Sequence, residues 1–381
     1  MAANDELTNR LITHRVDVMR FGENAAQRAV ATLTGLEREL SQRIQEADIA
    51  GATNDSVKMR RLEKLRAATQ ATIDSAYARN TRMLHRDLEE IVALEQQSEQ
   101  AALDMTFRTR IADTVYTPAQ LKKVVRGSFI QGSPAAEWWS TQSVDLKRRF
   151  TNQLRIGTLA GDTNDQLVRR LRGVPTQRDV PLPGGGNTRL YRGGLMDMSK
   201  REATTLVRTG VQTMANKTSH DMHKANADLL RGEYLQVTLD GRTSDICMSL
   251  SGAAWDLEGN PLPESTVTSG FPGPPPYHFN CRSVLVPITK SWDDLMEEAG
   301  TPTKRKLDKV PSSTQASLDG QVPGNLTYEK WLKTKSTDFQ KETLGPGRYK
   351  LWNDGKITLR DLVSPELRPL TLRELKQRAG S

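Results

Sequence analysis

The residues best placed to do chemistry in this chain are two cysteines and a histidine. Cys247 and Cys281 are the only cysteines among 381 residues, and His278 stands three positions before the second. Two thiolates and an imidazole are soft ligands of the kind that hold zinc. A structural zinc wants four ligands, and only three are evident. Ser244 is a poor fourth, which leaves Asp240, Asp245 or a water. Three ligands plus water is also the make-up of a catalytic zinc centre, but no general base stands out nearby. Without metal, the same residues read as buried thiols packed with a hydrogen-bonded histidine, or as a disulfide formed after cell lysis.

The elements that must position these side chains are short. Apolar runs of strand type lie at 234–239 and 284–288. Between them runs an excursion rich in Gly and Pro. The Cys/His cluster would pin that excursion to a small sheet. Asp240 and Arg242, at the end of the first strand, fix the turn by hydrogen bonds and charge pairing, with Arg282 as a partner; a solvated charged turn is the plainer reading. HFNCR superficially resembles a His-Asn nuclease core, but an apolar strand follows it where such a nuclease needs a metal-binding helix. His220 and His223 lie three apart on a helix, a spacing that can hold a metal. With no further partner evident, they read as solvent-facing. His14 and His85 carry no pattern.

Upstream, helices dominate. No proline precedes Pro118, and neither glycine nor proline occurs from Ala52 to Thr117. Leu33, Leu36, Leu40 and Ile44 make one apolar stripe. Leu62, Leu65, Thr69 and Ile73 make a second, and Leu84, Leu88 and Ile91 a third. GATND at 51–55 is the turn, with Asn54 or Asp55 as cap. The pattern predicts a long helical hairpin whose second arm runs over about 56–113. Its thin stripes want cover, from a partner or from the rest of the chain. Thr117-Pro118 and Ser133-Pro134 start shorter helices, and Trp138 and Trp139 are packing anchors. The stretch from Val174 is a loop by composition, with Gly184-Gly185-Gly186 as a hinge. A helix returns over 199–230. SWDDLMEEAG at 291–300 is a short helix, 301–325 reads as a linker, and Tyr328, Trp331, Leu332 and Phe339 anchor an ordered tail.

The predicted fold is mainly α with a small β-containing module (α+β): a hairpin over 1–115, a basic helical region over 116–198, a Cys/His module over 199–300, the linker, and a partly extended tail over 326–381. The net charge is +8, with 26% charged and only 5% aromatic residues, lean for one large core. Residues 114–215 carry 16 Lys/Arg against 7 Asp/Glu, and 301–381 carry 16 against 9. Such basic sections can neutralise phosphates without reading sequence, or can simply be solvated faces. Arg148, Arg149, Arg169, Arg170 and Arg172 are the candidate DNA contacts. No run is long enough for a membrane span, no secretory leader opens the chain, and two cysteines fit a reducing compartment.

The motifs together resemble the Mu F-like head-morphogenesis proteins of tailed phages. That family has an Arg-Thr pair on a helix, an Asp-x-Arg-Thr turn followed by cysteine, and a closing His-x-x-Cys-Arg. Arg208-Thr209 match the pair, with Asn216 further along the helix. Asp240, Arg242, Thr243 and Cys247 match the turn, and His278, Cys281 and Arg282 the close. Tyr328, Trp331, Leu344-Gly345, Gly355 and Asp361 carry the likeness through the tail. It covers about 200–290 and 326–376. Two positions depart from the family: Gly210 where glutamate is common, and Ser244 where a further cysteine is. The resemblance implies a non-enzymatic minor head protein, placed near the portal inside the capsid after assembly in the host cytoplasm. Its implied partners are portal and capsid or scaffold proteins and packaged double-stranded DNA. A structural zinc is the one cofactor the residues suggest. The competing reading is a zinc-assisted nucleic-acid hydrolase or a virion-carried effector enzyme.

Overall fold

A computed structural model of the chain describes residues 3–108, 110–181, 187–290 and 314–380. It is mainly helical with small antiparallel sheets, as the sequence predicts. It divides into two compact units, each assembled from distant stretches: 1–17, 92–118 and 215–381 in the first, 18–91 and 119–214 in the second.

Helix α1 (Ala3–Ala47) and helix α2 (Asp55–Phe107) are the two arms of the hairpin. The Asn54 side chain caps α2 by accepting from the Val57 N–H at 3.0 Å. Within the second unit the three apolar stripes are buried, and other helices of the same chain pack on the hairpin. Helix α3 (Pro118–Gly127) and a two-residue hairpin of β1 (Phe129–Ile130) and β2 (Ser133–Pro134) lead to α4 (Ala135–Leu159). Trp139 on α4 is buried against Tyr77, ring centroids 6.0 Å apart. Ser143 donates to Asp74 at 2.7 Å. Helix α5 (Asn164–Arg172) begins with a capping box of Thr163 and Gln166. Glu37, 2% exposed, is held by Arg172 at 2.8 Å and by Lys200 at 2.5 Å. Between the two readings of the thin stripes, the structure takes the one in which the chain packs on itself.

The stretch from Val174 differs from its predicted loop. Strands β3 (Gly173–Pro181) and β4 (Asn187–Gly193) pair antiparallel, and Arg172 stacks 4.0 Å over the Tyr191 ring. Thr176, Val180, Thr188 and Tyr191 are strand formers whose signal the Gly and Pro content hid. The Gly184–Gly186 hinge lies outside the described residues. Helix α6 (Leu195–Ala225) closes the second unit and continues into the first. A Cβ on Gly210 would come within 2.9 Å of the end of the Ile130 side chain, which would have to shift to admit it.

In the first unit, β5 (Leu230–Gln236) is the centre of a three-stranded antiparallel sheet, between β6 (Ala254–Trp255) and β7 (Val284–Thr289). A Cβ on Gly232 would lie 2.2 Å from the Trp255 carbonyl oxygen, so only glycine lets those strands approach. The tail is less extended than predicted. It folds into α8 (Tyr328–Lys333), α9 (Thr337–Leu344), α10 (Pro346–Asn353) and α11 (Leu372–Arg378), while α7 (Asp245–Ser249) belongs to the module. Tyr328, Trp331, Leu332, Leu351 and Leu375 share one apolar core with Leu235, Leu239, Trp255 and Leu285 of the module. The helix predicted over 291–300 and the first half of the linker lie outside the described residues. The rest of the linker forms a hairpin of β8 (Thr314–Ser317) and β9 (Gly320–Pro323). The Leu318 N–H donates to the Leu239 carbonyl at 2.9 Å, which docks the hairpin on the module.

Candidate metal centre

Cys247, His278 and Cys281 converge within the first unit: one ligand atom from each lies within 4.8 Å of the other two. The short helix α7 and the loop before β7 deliver them. Ser244 caps α7, accepting from the Cys247 N–H at 3.3 Å, and this sets the direction of the first thiol. That is the role of the serine standing where the family often has cysteine. The loop ends at Cys281, whose N–H donates to the His278 carbonyl at 3.2 Å. Both sulfurs are buried, whereas His278 is half-buried and forms the solvent side.

The distances suit a soft divalent cation. A tetrahedral zinc with sulfur ligands at about 2.3 Å holds them about 3.8 Å apart, and a sulfur and an imidazole nitrogen roughly 3.5 Å apart. The two Sγ atoms are 3.7 Å apart, and Cys247 Sγ is 3.3 Å from His278 Nε2. The cysteines are free, so no disulfide joins them. His278 Nδ1 lies 2.9 Å from the Phe279 carbonyl oxygen, an acceptor, so Nδ1 carries a hydrogen and Nε2 is the nitrogen turned to the sulfurs. The Ser283 hydroxyl donates to Cys247 Sγ at 3.1 Å. Cys281 is pushed well below the usual thiol range by the hydrogen bond from Cys247 and, against the cost of burial, by His278. Cys247 is pushed up by Cys281 and by burial. A lowered Cys281 favours the thiolate, the form in which cysteine ligates a metal.

The other two acids considered as fourth ligand are engaged elsewhere. Asp240 takes both arms of the Arg282 guanidinium, at 2.6 and 2.8 Å, and accepts from the Arg242 N–H at 3.0 Å. Thr243 donates to the Thr238 carbonyl, so all four residues of the predicted turn act on it. Burial would raise the Asp240 pKa, but the bonds from Arg282 and the Arg242 backbone hold it below the usual carboxylate value. Asp245 is held by Arg348 at 2.6 Å, and Tyr328 donates to the Asp240 carbonyl at 2.7 Å. The tail thus braces the site from behind.

The prediction of solvent-facing histidines at 220 and 223 is corrected. His223 is fully buried between Glu99 and Glu233, and His220 Nδ1 lies 2.8 Å from Glu233. Burial alone would lower the His223 pKa, yet the Glu99 charge and the bonds to Glu233 and Glu99 raise it to about 9. The hydrogen bonds from His220 and His223 bring Glu233 down to about 2 against its burial. A second knot adjoins in the same unit. Glu95, fully buried, meets Arg15 at 2.7 Å, His14 at 2.8 Å and the Ser219 hydroxyl at 2.6 Å. One signal was available in the sequence: Glu95 and Glu99 are one turn apart, and Glu233 interrupts an apolar strand. A buried carboxylate demands a cation, and histidines and Arg15 were the candidates.

Elsewhere, Asn216 donates to the Ser283 carbonyl at 3.3 Å. Arg208 pairs with Glu23 at 2.8 Å, and Thr209 is buried, both in the second unit. Of the five candidate DNA contacts, Arg148 and Arg169 are exposed, the former beside Asp145 at 2.9 Å. Arg149, Arg170 and Arg172 pair with Glu202, Asp162 and Glu37, so less free charge faces outward than the sequence suggests. No helix among the described residues is long and apolar enough to cross a membrane.

Residues 148–286 match the family described as Phage Mu protein F like protein. The match begins earlier than the likeness read from the motifs, taking in the C-terminal part of α4, and it ends before the tail. No curated protein and no solved structure matches the chain.

Proposed function

Because residues 148–286 match the Mu F-like family, we propose that this chain is a minor head protein that acts by binding, inside the capsid and near the portal. The observation that carries the reading is the family match together with the Cys/His knot at its end. In this reading the knot holds a structural zinc through Cys247, His278 and Cys281, with a water as fourth ligand. When bound, the ion would tie the excursion to the sheet and supply folding energy. Packaged DNA is met without sequence preference through exposed basic residues such as Arg148 and Arg169.

The hydrolase reading needs a carboxylate free to act as base beside the metal. Asp240 and Asp245, the acids nearest in sequence, are both locked by arginines, which favours the binding role. Two measurements test the proposal. Mass spectrometry of purified particles should find the protein at low copy number, and the purified chain should bind the portal protein encoded with it. Absence from particles would overturn the reading, as would a folded protein that ignores the portal.

A further inference from the structure

The hairpin of the second unit leaves a groove between α1 and α2. On α2, Ala71, Ser75, Arg79, Arg82 and Arg86 follow one another at spacings of three and four, so they line one face. On α1, Arg28, Ala31 and Gly35 line the opposite wall. One end of the groove is therefore lined by small side chains and the other by arginines. At Gly35 an added Cβ would meet nothing within 4 Å, so that wall is open.

The charges in the groove are not balanced. Arg28 is held by Asp87 at 2.6 Å. Glu39 is occupied by Arg43 at 2.7 Å. Neither Arg79 nor Arg82 pairs with a carboxylate among the described residues, and both are exposed. Guanidinium groups spaced by one helical turn match carboxylates spaced the same way, and each can take a carboxylate with both of its arms. Small residues on the floor let a helix backbone approach to the close end of the range for packed helices, about 8 Å between axes. Duplex DNA suits the groove less well, because its phosphates would gain nothing from the small residues Ala31, Gly35 and Ala71.

We propose that this groove docks an acidic amphipathic helix of a partner protein, its carboxylates on Arg79, Arg82 and Arg86 and its small apolar face on Ala31, Gly35 and Ala71. The inference narrows the partner surface of the binding role and owes nothing to the metal centre. The test uses the full-length protein and fluorescence anisotropy. The probes are a stapled helix with glutamates on one face and alanines on the other, its lysine counterpart, and a DNA duplex. The glutamate helix should bind best. An Arg79→Glu/Arg82→Glu double variant and a Gly35→Trp variant should each weaken it by about tenfold or more, with unchanged melting because all three positions are exposed. Equal binding by the variants, no binding of the glutamate helix, or preference for the duplex would overturn the inference. Portal binding that survives in both groove variants would overturn it while leaving the proposed function standing.

Discussion

Cys247, His278 and Cys281 were legible as a cluster because nothing else in the chain offers a thiol, and because His278 and Cys281 sit in one tight turn. Their mutual approach depends on Ser244 and Asp240, whose roles as a cap and a turn clamp are common enough to be invisible by type alone. The Asp240–Arg282 pair is the clearest of these supports. It is mostly shielded from solvent and bonds through two arms, so losing one partner leaves the other charged and poorly solvated. Arg282→Ala should cost about 2–3 kcal/mol in chemical denaturation, and Asp240→Asn a similar amount. A loss within experimental error for both would mean that the turn is held by its backbone alone.

At the scale of elements, the long helices and their stripes could be read from periodicity, since buried leucines recur every three or four residues. The β3–β4 hairpin could not, because its glycines and prolines speak louder than its threonines and valines. The buried His/Glu knot was missed for a different reason. A histidine looks the same in sequence whether it faces water or a carboxylate, and only packing of α2, α6 and β5 brings Glu99 and Glu233 to His223. The knot makes stability depend on pH. His223 has a folded pKa of about 9 against an ordinary 6.5. Its stabilisation is therefore complete below 6.5 and is lost as pH rises through 9. Glu233, at about 2 against 4.5, contributes fully above 4.5 and loses its contribution as pH falls through 2. The melting temperature should drop between about pH 6.5 and 9.5, and His223→Gln should flatten that slope while lowering the plateau. A wild-type slope no steeper than the variant's would remove the knot from the account.

Over the whole molecule, composition divided the chain in its own order, while the compact units are built from segments far apart in sequence. Apolar spacing shows that a face will be buried but does not name what buries it. The tail is the plainest case. Trp331 and Tyr328 looked like anchors of a separate ending, yet they complete the core beneath the Cys/His knot. Removing 326–381 should therefore leave the first unit unable to close its core. The truncated chain is expected to bind hydrophobic dyes and lose its near-ultraviolet signal, the marks of lost packing. A sharp, native-like melt in that variant would show the tail to be an accessory.

The central claim is that helix α7 and the loop before β7 are tied together by a metal. Its most direct test is the zinc content of the full-length protein purified without added metal, read together with its melting curve before and after chelation. The account predicts one zinc per chain, lost in Cys247→Ser and in Cys281→Ser, and a melting temperature about 5–10 °C lower once the ion is stripped. Protein that carries no stoichiometric metal, takes none up, and melts identically with chelator and with both serine variants would contradict it.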